Sequence, residues 1–184
     1  MLLNKSESCL LLIDVQEKLT PHVRHADQLL DRCEWLLRLA RTLEVPTLIS
    51  EQYPTGLGTT VATLKHSAAS SAEIEKTAFS SFSDPHFRQA LHEINKKQLI
   101  LIGIETHVCV LQTAIELLTE GYDVFVVVDA VSTRFEVDHT YALKRMQQLG
   151  VQLLTTEMVF FEWIRDSAAP EFKHLSNTFL KTGR

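Results

Sequence analysis

What most constrains this chain is the recurrence of short apolar runs that do not alternate with polar residues. Five stand out: Cys9–Val15, Val45–Ser50, Gln98–Gly103, Val124–Asp129 and Val151–Thr155. A strand with one wet face alternates, so an unbroken run needs both faces covered, as in the interior of a parallel sheet. Ala72–Thr77 is a weaker sixth candidate, suited to an edge. Amphipathic helices separate the runs. Leu29, Cys33, Leu36, Leu37, Ala40 and Leu43 share one helical face, and Phe87, Ala90, Leu91 and Ile94 follow a cap at Ser83 or Asp84 with Pro85 first in the helix. Val110, Leu111, Ala114, Leu117 and Leu118 form a third face ending at Gly121, and Tyr141, Ala142, Met146 and Leu149 a fourth ending at Gly150. Met158–Arg165 and Glu171–Leu180 read as C-terminal helices suited to packing on the sheet or on a second subunit, and Tyr53–Gly58 as an irregular loop. Strand and helix in alternation predict right-handed βαβ units and a doubly wound, three-layer α/β/α fold in one domain over residues 1–184.

Composition narrows the function. Lys and Arg number 18 against 23 Asp and Glu, a net charge of −5, so the chain has no cationic excess for a phosphate backbone and no nucleic acid partner is expected. The run Leu10–Ile13 stops at Asp14, well short of the roughly 18 apolar residues that span a membrane. Met1–Ser8 lacks the basic and apolar regions of a secretory signal. Cys9, Cys33 and Cys109 are odd in number, widely spaced and without a Cys-x-x-Cys, which argues against a disulfide framework or a common zinc pattern and suits a cytoplasmic setting. Gly56-x-Gly58 is followed by Val61 where a dinucleotide fingerprint requires glycine, and there is no P-loop, G-x-S-x-G or H-E-x-x-H. No cofactor and no metal are expected.

In open α/β sheets reactive groups gather beyond the carboxyl ends of the strands. Asp14 ends the first run, Lys76 the edge strand, and Cys109 falls at about the third position of the helix after Gln98–Gly103, with Thr106 as its cap. The positive end of a helix and a nearby ammonium favour thiolate, and a carboxylate can take the proton, so Asp, Lys and Cys suffice for an activated nucleophile. From position alone each has a plainer reading: a buried small apolar residue, a turn residue and a solvated lysine.

Leu11-Leu12-Ile13-Asp14-Val15-Gln16, Lys76-Thr77-Ala78-Phe79-Ser80-Ser81-Phe82 and Gly103-Ile104-Glu105-Thr106-His107-Val108-Cys109-Val110 resemble the three signature segments of the isochorismatase-like cysteine hydrolases. Asp129–Arg134 and Thr156–Phe160 resemble downstream segments of that family, and Ser50-Glu51-Gln52-Tyr53-Pro54 with Gly56-Leu57-Gly58 resembles a subgroup of isochorismatase-domain proteins. The resemblance implies a six-stranded parallel sheet of order 3-2-1-4-5-6. It implies Cys109 as nucleophile, Asp14 as base and Lys76 as electrostatic partner. It also implies a cis Ile104–Glu105 peptide and an oxyanion hole from the N–H groups of Glu105 and Cys109. Gln16, Tyr53, Phe79 and Phe82 would border the substrate, while His107 would point away from the thiol and Asp129 and Arg134 would stabilise loops.

The chemistry implied is thiol attack on a small amide-like C–N substrate, loss of amine, and hydrolysis of a thioester. The Asp-x-His pair of metal-dependent nicotinamidases has no counterpart in Ser50–Thr55, so no zinc is expected. Retention of Cys109 favours the thiol route over enol-ether hydrolysis. Relatives commonly form dimers or higher oligomers, and a homo-oligomer is expected here. Two other readings are a catalytically silent binding or scaffold protein of the same fold, and a redox-sensing thiol without a resolving cysteine nearby.

Overall fold

The computed structural model describes residues 1–68 and 72–181. Six strands, β1 (Ser8–Ile13), β2 (Thr47–Gln52), β3 (Ala72–Lys76), β4 (Gln98–Ile104), β5 (Asp123–Ser132) and β6 (Gln152–Leu154), form one sheet of order β3-β2-β1-β4-β5-β6. Every pairing is parallel. The helices among the described residues are α1 (Ala26–Thr42), α2 (Pro54–Leu57), α3 (Ala62–Ser67), α4 (Pro85–Ile94), α5 (Leu111–Thr119), α6 (Glu136–Leu149), α7 (Thr156–Ile164) and α8 (Phe172–Phe179).

Strand parity explains the unbroken apolar runs. Side chains alternate between the faces of a sheet. Leu10 and Leu12 of β1, Ile100 and Ile102 of β4, and Phe125 and Val127 of β5 point into one core with α1, α7 and α8. Cys9, Leu11, Ile13, Leu99, Leu101, Val124 and Val126 point into the other, with α4, α5 and α6. Both faces of the sheet are covered, so the runs are mostly apolar, with buried Ser50 and Gln98 as polar residues at their ends. The C-terminal helices close the first core on the sheet: Trp35 meets Phe179 edge-on at 5.4 Å, and Trp163 Nε1 donates to Ser8 Oγ at 3.0 Å.

Two local expectations change. Tyr53–Gly58 is a short helix, α2, because Pro54 sets its first φ and the N–H groups of Leu57 and Gly58 return to the carbonyls of Tyr53 and Pro54. Thr106 does not cap the helix start; Glu105 holds that position, and the buried Thr106 instead pairs its Oγ1 with His139 Nδ1 at 3.1 Å.

Gly103 sets how β4 ends. It adopts φ +117°, and a Cβ there would lie 2.1 Å from the Ile13 carbonyl oxygen. The β4–β5 register jumps across it, from Leu101 opposite Val126 to Gly103 opposite Val131, which brings Ile104 beside Ser132. Gly103→Ala is therefore expected to destabilise the fold by about 3 kcal/mol or more, from positive φ and a backbone clash together. Urea unfolding measures this, and a loss below about 1 kcal/mol would show that β1 and β4 can part without cost.

Candidate active site

The first three strands of the order β3-β2-β1 deliver a carboxylate and an ammonium to one point. Lys76 ends β3 opposite Gln52 of β2, and Ile13, just before Asp14, lies opposite Ser50. Lys76 therefore reaches over the end of β2 to Asp14, its Nζ 2.7 Å from Oδ2, with both side chains wholly buried. Asp14 turns out of β1 at φ 51°, its N–H donating to Ser50 O at 3.1 Å and its carbonyl accepting from Gln16 N. Its second oxygen, Oδ1, accepts from Ser50 Oγ at 2.7 Å.

The ammonium is held among oxygens. Besides Asp14, Lys76 Nζ donates to Gln52 Oε1 at 2.6 Å and to the carbonyls of Ala78 and Phe79 at 3.1 Å each. Four acceptors surround its three protons, so the ammonium is fixed in place beside Asp14.

Cys109 enters from β4. After the cis Ile104–Glu105 peptide the chain forms a π-helical turn, Thr106–Val110, that runs into α5. Its thiol lies close enough to Asp14 and Lys76 for both to act on its charge, and the residue is 7% exposed. Burial pushes the thiol pKa up, the Asp14 carboxylate pushes it further, and the Lys76 ammonium pulls it back. The net direction is upward. Desolvation and the Asp14 carboxylate thus oppose the thiolate that the helix start and the ammonium were expected to favour.

Cys9 and Cys33 are fully buried; burial pushes Cys9 up to about 12 and Cys33 further still. In the folded protein iodoacetamide is expected to modify Cys109 first, because it alone of the three cysteines has any exposed surface. Peptide mass spectrometry reads this, and equal labelling of Cys9 or Cys33 would contradict the arrangement.

The four residues expected to border a substrate differ in their surroundings. Gln16 is buried, its amide nitrogen donating to the Gln52 and Gly58 carbonyls and its Oε1 accepting from Gln52 N, so it clasps the ends of β1 and β2. Phe82 is packed in the second core, edge-on to Tyr122 at 6.2 Å with Arg88 over its ring. Tyr53 and Phe79 stay 57% and 56% exposed, and their backbones touch Lys76: Tyr53 N donates to Lys76 O, and Phe79 O accepts from Nζ.

Glu105 turns its carboxylate away from Cys109. Oε2 accepts from Thr133 Oγ1 at 2.9 Å and from Arg134 N and Nε at 3.1 Å each, and these partners hold its pKa below the usual carboxylate range despite partial burial. His107 Nδ1 lies 2.7 Å from Thr133 Oγ1, on the same outer side, and Asp129 accepts from Thr156 N and Oγ1. A cavity of about 170 Å³ beside the end of β5, lined by Arg24, Gln28, Thr133 and His139 among others, holds none of Asp14, Lys76 and Cys109. Among the described residues no group of three or more His, Cys, Asp or Glu converges as a metal would require, and no helix is long and apolar enough to cross a membrane.

Sequence reasoning assigned no role to Ser50, Gln52 or Ser81, all of which contact the Asp14–Lys76 pair directly or through one hydroxyl. Ser50 and Gln52 stand at the end of a strand that separates two reactive residues, and that register was the available signal.

The doubly wound sheet of order β3-β2-β1-β4-β5-β6 is an architecture this chain shares with solved structures. Residues 8–158 match the isochorismatase domain, and the chain belongs to that family. Isochorismatase domain-containing protein 2A of Mus musculus is 41% identical over 169 residues, covering 91% of this chain and 80% of the mouse protein. The MAR1 ribonuclease of Caenorhabditis elegans superposes with a TM-score of 0.92 at 38% identity, covering 100% of this chain and 95% of the worm chain. The YcaC gene product of Escherichia coli, an octameric hydrolase of unknown specificity, superposes with a TM-score of 0.87 at 30% identity, covering 100% and 98%.

Proposed function

We propose that this protein is a cysteine hydrolase of small amide-like substrates. The carrying observation is the buried Asp14–Lys76 pair with the Cys109 thiol close enough for both to act on its charge. Asp14 takes the thiol proton as sulfur attacks the carbonyl carbon. Lys76, a charge fixed among oxygens, stabilises the thiolate as it forms. The N–H groups of Glu105 and Cys109 donate to the developing oxyanion, and Asp14 returns its proton to the departing amine. Water then hydrolyses the thioester, with Asp14 again as base. A hydrolase role is in keeping with the E. coli YcaC protein, and its octameric state supports self-association here.

A small-molecule substrate is favoured over RNA, despite the worm relative's ribonuclease activity, because 18 cationic side chains against 23 acidic ones leave no excess to neutralise phosphates. Enol-ether hydrolysis and a silent scaffold are the rival readings. Neither needs a thiol seated between a base and an ammonium. The test is incubation with a pool of small primary amides, reading ammonia release together with the intact mass of the protein. The expected result is turnover with an acyl group on Cys109. Absence of release and of any adduct, with a binding partner retained by both the native protein and Cys109→Ala, would overturn the reading in favour of the scaffold.

A further inference from the structure

The two oxygens of Asp14 are not equivalent. Oδ2 faces Lys76, whereas Oδ1 accepts from Ser50 Oγ at 2.7 Å. Ser50 spends its single hydroxyl proton there and accepts from Ser81 Oγ at 3.1 Å. Ser81 is itself fixed, its N–H donating to Thr113 Oγ1 at 2.9 Å, and Thr113 lies on α5, the helix continuing from the Cys109 turn. Asp14, Ser50 and Ser81 have no exposed surface, so water cannot substitute for either hydroxyl. The chain is thus directional: Ser81 donates to Ser50, and Ser50 donates to the carboxylate. A donor of this kind strengthens when its acceptor is ionised and weakens when the acceptor is neutralised.

We propose that the Ser81–Ser50 hydroxyl chain positions Asp14 and, by donating to its carboxylate, opposes transfer of the Cys109 proton until a substrate engages the sulfur. This rests on the reading of Asp14 as acceptor of the Cys109 proton. In that step the S–H bond breaks and an O–H bond forms on Asp14, leaving a thiolate beside the Lys76 ammonium and no change in net charge. Ser50 opposes the transfer, because its proton then faces a weaker acceptor. Among the described residues the titratable groups facing Asp14 are Lys76 from β3 and Cys109 from the π-helical turn. A resting thiol is a poorer target for oxidants than a thiolate, so the chain would spare a sulfur that has no neighbouring cysteine to rescue it.

Carboxamidomethylation of Cys109, followed from about pH 6 to about pH 10, reads thiolate population without any substrate. S50A is expected to react about tenfold faster than the native protein across the neutral range, and S81A about threefold faster. Both ratios should fall toward one at the alkaline end, where the thiol ionises whether or not Asp14 takes its proton. A site merely loosened by the lost hydroxyl would react faster by one factor at every pH. That constant ratio, or an S50A rate no higher than native, overturns the proposal. S81A, which does not touch the carboxylate, carries the same test should S50A fail to fold. Failure of the hydrolase reading is distinguishable: amides would go untouched while the pH-dependent ratio persisted, whereas a constant ratio with turnover intact rejects only the hydroxyl chain.

Discussion

Replacing Cys109 with serine is expected to lower amide turnover by about three orders of magnitude or more, with the fold unchanged. The substitution keeps a small polar group beside Asp14 and Lys76, so packing is nearly conserved and unfolding free energy should move by less than about 1 kcal/mol. What changes is the nucleophile. A hydroxyl is far harder to deprotonate than a thiol, so the step that frees the nucleophile becomes much slower. The acyl group should also vanish from the intact mass, since no thioester can form. Ammonia release by C109S within tenfold of native would mean that the sulfur is not the nucleophile.

Lys76→Met is expected to be the most destabilising single change at the site, by about 3–5 kcal/mol, because it leaves the Asp14 carboxylate buried without its counter-ion. Lys76 and Asp14 side chains have no solvent exposure, and the ammonium also satisfies Gln52 Oε1 and two carbonyls. The Asp14→Asn/Lys76→Met double variant removes both charges and should recover a large part of the loss, a coupling that a double-mutant cycle of urea unfolding measures. A Lys76→Met loss below about 1 kcal/mol would mean that water reaches the pair and that the site is not the desolvated pocket described above.

Much of the framework was legible because periodicity answers directly to burial. Each predicted run became a strand, since a sheet covered on both faces favours apolar residues at interior positions. Boundaries moved where hydrogen bonds rather than hydrophobicity decided them. β5 extends to Ser132 because the register jump at Gly103 gives Val131 and Ser132 new partners on β4. α7 begins at Thr156 because Thr155 accepts from Met158 N. α2 escaped notice because a single turn has too few residues to show a period. At the site, Asp14, Lys76 and Cys109 were identifiable by type and strand-end position, but Ser50, Gln52 and Ser81 were not. Serine and glutamine at a strand end carry no chemistry of their own; they gain a role from what lies one strand away.

The order of apolar runs and helices, the acidic balance and the three reactive side chains at strand ends follow from the sequence alone, because burial and residue chemistry are written position by position. The upward push on the Cys109 thiol, the hold of Thr133 and Arg134 on Glu105 and the alignment of two serine hydroxyls on Asp14 depend on folding. Each is an interaction between groups 24 or more residues apart in the chain, such as Glu105 with Thr133, Ser81 with Ser50 and Ser50 with Asp14. Electrostatic and hydrogen-bond energies depend on distance and desolvation, and only the folded sheet sets those.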